Sequence, residues 1–236
     1  MSIPETRTRN PWWIPPFLLG RVPDISPSLL RLLGFIAFAL LFENYEFSLL
    51  NSALKYIAAD LGIEETELGY FTAWIRLGAL PAFFMIPLAD QIGRRRLFLI
   101  SVAGLSIGTF LTALSQTTAQ FLALQVLTRS CMLAAATIVV VIVTEEFPAA
   151  HRGWGIGVLS AVASVGHGLG ALLFAAIEVL PFGWRALYVV GVIPILFLPM
   201  FRRSVPETQR FAAHQATQEQ VHLVAALLGW FQPVLR

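Results

Sequence analysis

The sequence predicts an all-α polytopic membrane protein with six transmembrane helices in one bundle and both termini cytoplasmic. Three observations carry this reading. Hydrophobic residues make up 57% of the 236 residues and charged residues only 13%, about half the roughly 25% charge of a soluble domain. Six apolar segments lie near 30–54, 67–89, 97–116, 119–144, 154–179 and 184–201. Each is close to the about 20 residues that cross ~30 Å of hydrocarbon in a helix. The basic residues between them fall mostly on alternate connections, as the positive-inside rule requires.

Taken in order, each span is bounded by polar or helix-breaking residues. Asp60-Leu-Gly62-Ile-Glu-Glu-Thr-Glu67 is an acidic turn after the first. Asp90 to Arg96 is a tight basic turn after the second, and Ser115-Gln-Thr-Thr-Ala-Gln120 a short polar one after the third. Glu145 to Gly153 carries charges and Pro148 after the fourth, Pro181-Phe-Gly183 closes the fifth, and Pro206 follows the sixth. Such short links make neighbours in sequence antiparallel neighbours in space. Gly104 and Gly108 in the third span, and Gly166 and Gly170 in the fifth, have the small-x-x-x-small spacing of close helix contacts. Gly153, Gly155 and Gly157 add to the glycine content around the fifth span.

Arg7, Arg9, Arg21, Arg31, Arg94, Arg95, Arg96, Arg152, Arg202, Arg203, Arg210 and Arg236 fall on one side of this topology. The other side has Lys55 and Arg185 with Asp60, Glu64, Glu65 and Glu67. The chain is therefore expected in the cell inner (plasma) membrane, N-in and C-in, with membrane lipid as its first partner. Residues 1–28 are expected to be a cytoplasmic N-terminal segment; prolines interrupt their apolar stretch, so they do not read as a signal peptide. Trp12 and Trp13 suit the headgroup level. Residues 29–203 make the bundle. Residues 204–236 are expected to be a cytoplasmic linker whose last apolar run, from Val221, is too short to span and suits a short amphipathic helix.

Several functions are excluded. Lys55 is the only lysine, and it lies in no G-x-x-x-x-G-K-[ST] loop, so the chain lacks the Walker phosphate cradle. The single Cys131 sits in an apolar run, with no zinc spacing anywhere. The net charge of +2 comes without a basic stripe, so no nucleic acid is expected. Gly104-Leu-Ser106-Ile-Gly108 matches G-x-S-x-G formally, but mid-helix it lacks the strand that a nucleophile elbow needs. No enzyme activity and no cofactor are expected.

Charges inside apolar spans are costly and mark pathways or pairs. Glu43, Glu46, Arg76, Arg129 and His167 are such groups. Counting along the helices puts all of them roughly 12–18 Å from the outer ends. An arginine beside a carboxylate favours its ionised form, and a substrate anion that engages the arginine frees the acid to take a proton. That exchange would couple a solute to protons without ATP. Glu43 and Glu46, at i and i+3, share a helix face. Static pairs that lock the bundle are the alternative use of the same residues. Tyr45, Asn44 and Asn51 on the same helix are candidate contacts for a polar ligand.

The turn Leu88-Ala-Asp90-Gln-Ile-Gly93-Arg94-Arg95-Arg96 resembles the loop between spans two and three of the major facilitator superfamily, G-x-L-A-D-r-x-G-R-r, with Ile86 for the leading glycine. Glu145-Glu-Phe-Pro148-Ala-Ala-His-Arg152-Gly153 resembles the E-x-x-P-x-x-x-R-G after span four of its sugar porters. Pro206-Glu207-Thr-Gln-Arg210 resembles their P-E-S-P-R after span six. Glu43-Asn-Tyr45-Glu46-Phe resembles the D-G-[YF]-D of span one in organic-acid and proton symporters, and Arg129 falls where the family has an arginine in span four. The glycines of span five follow an antiporter-type spacing, but Ala171 stands in place of its proline.

The resemblance, from about Leu29 to Arg210, implies the six-helix bundle of a secondary transporter for a small polar organic solute such as an organic acid or sugar, carried with protons. It implies a cytoplasmic gate formed by Asp90, Gly93, Arg94, Arg95, Glu145, Arg152, Glu207 and Arg210. It also implies a second six-helix half, since the family builds its site between two bundles. A truncated product, pairing with a separate half or as a homodimer, and a non-transporting membrane interaction protein are the three readings open to one bundle.

Overall fold

The structure, a computed structural model, describes residues 22–204, apart from the side chains of Ile86, Asp90 and Ser204. Trp12, Trp13, Glu207, Arg210 and the run from Val221 lie outside the described residues, as does the Asp90 side chain. Every regular element among the described residues is helical. Six spans are long and apolar enough to cross a membrane: Pro27–Leu61, Glu65–Ala89, Arg94–Ala113, Thr118–Glu146, Ala149–Phe174 and Trp184–Arg203.

Local chemistry explains the ends. The Ser26 hydroxyl accepts the Leu29 N–H, with Pro27 in the first turn, a standard helix start. The first span runs about two turns beyond the expected Leu54, because no breaker intervenes before Gly62. That glycine takes φ 68° and returns its N–H to the Ala58 carbonyl. The fifth span stops at Phe174 rather than 179. Ala175, Ala176 and Ile177 donate to carbonyls three residues back, a tightening that ends α-helical winding.

Two spans are broken where continuous helices were expected. The second consists of Leu68–Arg76 and Ala79–Ile92. At the break, a Cβ on Gly78 would lie 2.6 Å from the Val126 carbonyl oxygen, and Ser130 Oγ donates to the Gly78 carbonyl at 2.8 Å. The sixth consists of Trp184–Val190, Ile193–Leu196 and Leu198–Ser204. Pro194 has no N–H to give to the preceding turn.

The first span packs chiefly on the fifth, and the third on the fourth. Both contacts use the glycine pairs. A Cβ on Gly170 would lie 2.7 Å from the Tyr45 carbonyl oxygen, and one on Gly166 would collide with the Leu41 carbonyl. Gly104 and Gly108 face Cys131 and Thr128 in the same way. Ser106 is buried in this packed helix, in agreement with a packing rather than a nucleophilic role.

Two apolar clusters fill the bundle. One gathers Leu33, Ile36, Phe98, Ile142, Phe147 and Phe201. The other gathers Leu49, Phe71, Phe121, Trp184 and Tyr188. Polar contacts pin both ends. At the arginine-rich end, Arg94 Nη2 meets Glu145 Oε1 at 3.4 Å, Arg95 donates to the Arg202 carbonyl, and Arg152 Nε donates to the Phe147 carbonyl at 3.0 Å. At the acidic end, Asp60 pairs with Arg185 and accepts Trp184 Nε1–H at 3.2 Å. Arg185 also donates to the Ser115 carbonyl at 3.0 Å. These contacts place the start of the first span and the end of the sixth at the same, arginine-rich end.

Candidate functional site

The site is built from the middle of the first span outward. Glu43, Tyr45 and Glu46 are all buried, within about one turn of this helix, on the side that faces the other spans. Thr109 of the third span and Gln125 of the fourth are buried beside Glu46. Thr109 Oγ1 lies 2.5 Å from Glu46 Oε2 and 2.8 Å from the Leu105 carbonyl oxygen. Gln125 Nε2 donates to Thr112 Oγ1 at 3.4 Å. A carboxyl taken out of water has to be protonated or matched by donors and positive charge. Here a hydroxyl supplies the contact and Arg129 the nearby charge.

One detail of this contact has chemical content. A threonine hydroxyl has one proton and two lone pairs. It can give that proton to Glu46 or to the Leu105 carbonyl, one at a time. The first arrangement suits a carboxylate; in the second, a protonated Glu46 donates to Thr109 Oγ1. Rotation of one hydroxyl therefore accommodates both forms of the acid without moving a helix.

Arg129 is half-buried, and its charge acts across space on Glu43, Arg76 and Glu46. No carboxylate lies within ion-pair distance of it among the described residues, so the direct Glu–Arg pair expected from sequence does not form. Its guanidinium instead sits 4.9 Å from the centroid of the Phe47 ring, and Nη1 contacts Met132 Sδ at 3.4 Å. The other neighbour of Phe47 is His167, at 6.0 Å between ring centroids. Arg129, Phe47 and His167 thus form a row across the fourth, first and fifth spans. His167 is exposed, as is Arg76, so neither joins the buried carboxyls.

The remaining sequence candidates divide. Tyr45 Oη donates to the Leu187 carbonyl at 2.7 Å, which ties the first span to the sixth and uses up its proton. Asn44 donates to the Leu40 carbonyl at 2.9 Å and Asn51 to the Phe47 carbonyl at 2.7 Å. Both amides therefore bond within their own helix. Of the gate set, Gly93 has φ 99°, a backbone open to glycine, and it turns the chain so that Arg94 reaches Glu145. Sequence reasoning missed Phe47, Thr109 and Gln125. None carries charge, and their only signal was a polar or aromatic residue one position or a few turns from a buried charge.

A bundle of six helices long and apolar enough to cross a membrane, with a buried acid among them and a charge-pinned basic end, defines one class of protein, a multi-pass membrane protein. The chain belongs to the Major Facilitator Superfamily, whose family model matches residues 36–234. It is 27% identical over 192 residues to a gallate transporter of Pseudomonas putida, covering 80% of this chain and 42% of that protein. It is 30% identical over 178 residues to the cis,cis-muconate transport protein of Acinetobacter baylyi, covering 73% and 42%. It is 29% identical over 200 residues to plastidic glucose transporter 4 of Arabidopsis thaliana, covering 80% and 35%. Among solved structures, the fold resembles a proton:xylose symporter, with a TM-score of 0.72 at 16% identity over 82% of this chain and 48% of that one. The chain spans less than half the length of each of these proteins, as expected of an N-terminal half.

Proposed function

We propose that this chain is the N-terminal half of a proton-coupled secondary transporter for a small organic acid. It works with a second six-helix half, supplied by a separate chain or by another copy. The observation that carries the reading is the 2.5 Å contact between Glu46 and Thr109, within the field of Arg129. It provides a buried proton acceptor whose hydroxyl partner serves both of its forms.

The solute class rests on the charge of the row beside it. Arg129 and the ring nitrogens of His167 offer donors to an anion, and Phe47 between them offers a flat apolar face. An anionic solute on Arg129 would withdraw its charge from Glu46 and favour protonation there. Proton and solute would then load together. The names of the gallate and muconate relatives agree with an organic acid. The glucose relative makes a sugar the competing solute. The arginine-rich end faces the cytoplasm of the inner membrane by the positive-inside rule, and the Arg94–Glu145 pair at that end serves as a gate.

Uptake into vesicles under an imposed pH gradient tests the reading. With a two-bundle particle reconstituted, Glu46→Gln should abolish proton-driven uptake and spare exchange of solute for solute. Unchanged proton dependence would remove Glu46 from the coupling. A stable lone bundle with no uptake of benzoate or of a hexose would favour a non-transporting membrane protein instead, which the half-length chain allows.

A further inference from the structure

We infer that the groove between the third and sixth spans, at the arginine-rich end, is a binding site for an anionic phospholipid. The inference is independent of the proposed transport. It requires only that the bundle sits in a bilayer.

The groove has a volume of about 930 Å³, near the top of the roughly 300–1,000 Å³ range of ligand clefts. Its mouth carries Arg95, Arg202 and Arg203, and no acidic residue lines it among the described residues. Its wall is aliphatic, with Ile100 and Ala103 on one side and Ile195 and Leu198 on the other. The gradient from three cations to a wholly apolar wall runs along the spans. It matches a molecule with a phosphate at one end and an acyl chain at the other. A soluble phosphate compound would leave the aliphatic wall unused, and a neutral lipid would leave the arginines unmatched.

The construction of the mouth supports a built site. Arg95 donates to the Arg202 carbonyl, in the last turn of the sixth span, so its fork is held across the gap between the two helices. Arg202 and Arg203 are exposed, and neither pairs with a carboxylate among the described residues. The break in the sixth span at Phe197 leaves Leu198–Ser204 as a separate short helix, and Arg202 and Arg203 sit in its last turn. Guanidiniums at this level of a span lie where phosphates of the headgroup layer lie. Arg94, one residue away, is engaged with Glu145. A lipid that pulls on Arg95 would therefore act on the loop that joins spans two and three.

The test is lipid retention by the full chain, extracted from membranes and transferred to nanodiscs of mixed phosphatidylglycerol and phosphatidylcholine. Native mass spectrometry should show phosphatidylglycerol retained in preference to phosphatidylcholine. Each arginine near an anionic surface contributes about fivefold in partitioning, so Arg202→Gln with Arg203→Gln should reduce retention by more than about fivefold. A second variant, Ala103→Trp, keeps every arginine and fills the apolar wall. It should lower retention as well. Equal retention of the two lipids, or unchanged retention in the double arginine variant, overturns the proposal. Loss in the arginine variant with full retention in Ala103→Trp also overturns it, since that pattern means diffuse attraction to the surface rather than a groove. Arg31→Gln, an exposed arginine that does not line the groove, is the control, and its loss should not exceed the about fivefold of a single surface arginine.

Discussion

At the level of single residues, the chain places its most costly group, Glu46, where one hydroxyl can meet both of its protonation forms. Thr109→Val keeps the shape and removes that hydroxyl. An unsatisfied buried polar group costs about 1–3 kcal/mol, so the variant should unfold at lower temperature in detergent. Thr109→Ser should restore the parent value. Equal melting of the valine variant and the parent would mean that the contact contributes nothing. Phe47 makes a separate prediction. A cation over an aromatic face gains about 0.5–2 kcal/mol. In an assembled transporter, Phe47→Ala should weaken organic-acid binding by about twofold to thirtyfold, measured by titration, whereas Phe47→Tyr should stay near the parent. Arg129→Ala should lose anion binding altogether, and unaltered affinity would leave Arg129 as packing against Phe47 and Met132. Glu43 and Glu46 were legible from sequence because charged letters stand out in apolar runs. Phe47 and Thr109 were not, because an aromatic or a threonine in such a run has no signature until its neighbour is known.

At the level of elements, the glycine pairs decide which spans touch. Gly166 and Gly157 lie in the same helix but in opposite surroundings. An alanine at Gly166 would drive its methyl into the Leu41 carbonyl, whereas one at Gly157 meets nothing within 4 Å. Overpacking costs about 1–3 kcal/mol. Gly166→Ala should lower thermal stability by that amount, and Gly157→Ala should leave it unchanged or slightly raised through better helix propensity. Equal effects at the two sites would contradict the packing of the first span on the fifth. The positions of all six spans were legible, because length and apolarity set them. The breaks at Leu77–Gly78 and within the sixth span were not. Gly78 breaks its span where Val126 and Ser130 of the fourth span press against it, and that contact is tertiary. The ends of the first and fifth spans moved for a similar reason: the membrane limits the apolar stretch, but the helix itself runs on to the first residue that stops it.

For the whole molecule, the arrangement has a polar layer inside one bundle and broad apolar faces outside it. Tyr70, Phe83 and Phe84 on the second span are more than two thirds exposed. Such aromatic surface suits lipid or a second bundle. Cross-linking of the chain in its native membrane should give a particle of two bundles, either a homodimer or a complex with a separate chain. A bundle that stays alone at every concentration would remove the assembled transporter from consideration. The Arg94–Glu145 contact belongs to this scale too, because it joins the loop after span two to the end of span four. Arg94→Ala leaves Glu145, with 9% of its side chain exposed, without that cation. Removing one partner of a buried pair costs roughly 3–5 kcal/mol; with both groups partly exposed here, the loss in melting experiments should be smaller, and Glu145→Gln in the same background should recover part of it.

Composition alone determined that this chain lives in a bilayer, since 13% charged residues cannot cover a water-facing surface. Spacing and order of motifs then determined the family, because a basic turn between spans two and three and an acid–proline–arginine stretch after span four constrain the same end of the same bundle. Position along each helix was legible too, as rise per residue is constant. What a side chain faces was not. A helix in lipid gains little from hiding one apolar face rather than another, so hydrophobic periodicity is weak and rotation about the axis is set by contacts from distant parts of the chain. Only the tertiary structure could therefore decide that Glu46 meets Thr109, that Arg129 lies over Phe47 instead of pairing with an acid, and that His167 is exposed beside Phe47 rather than buried with the carboxyls.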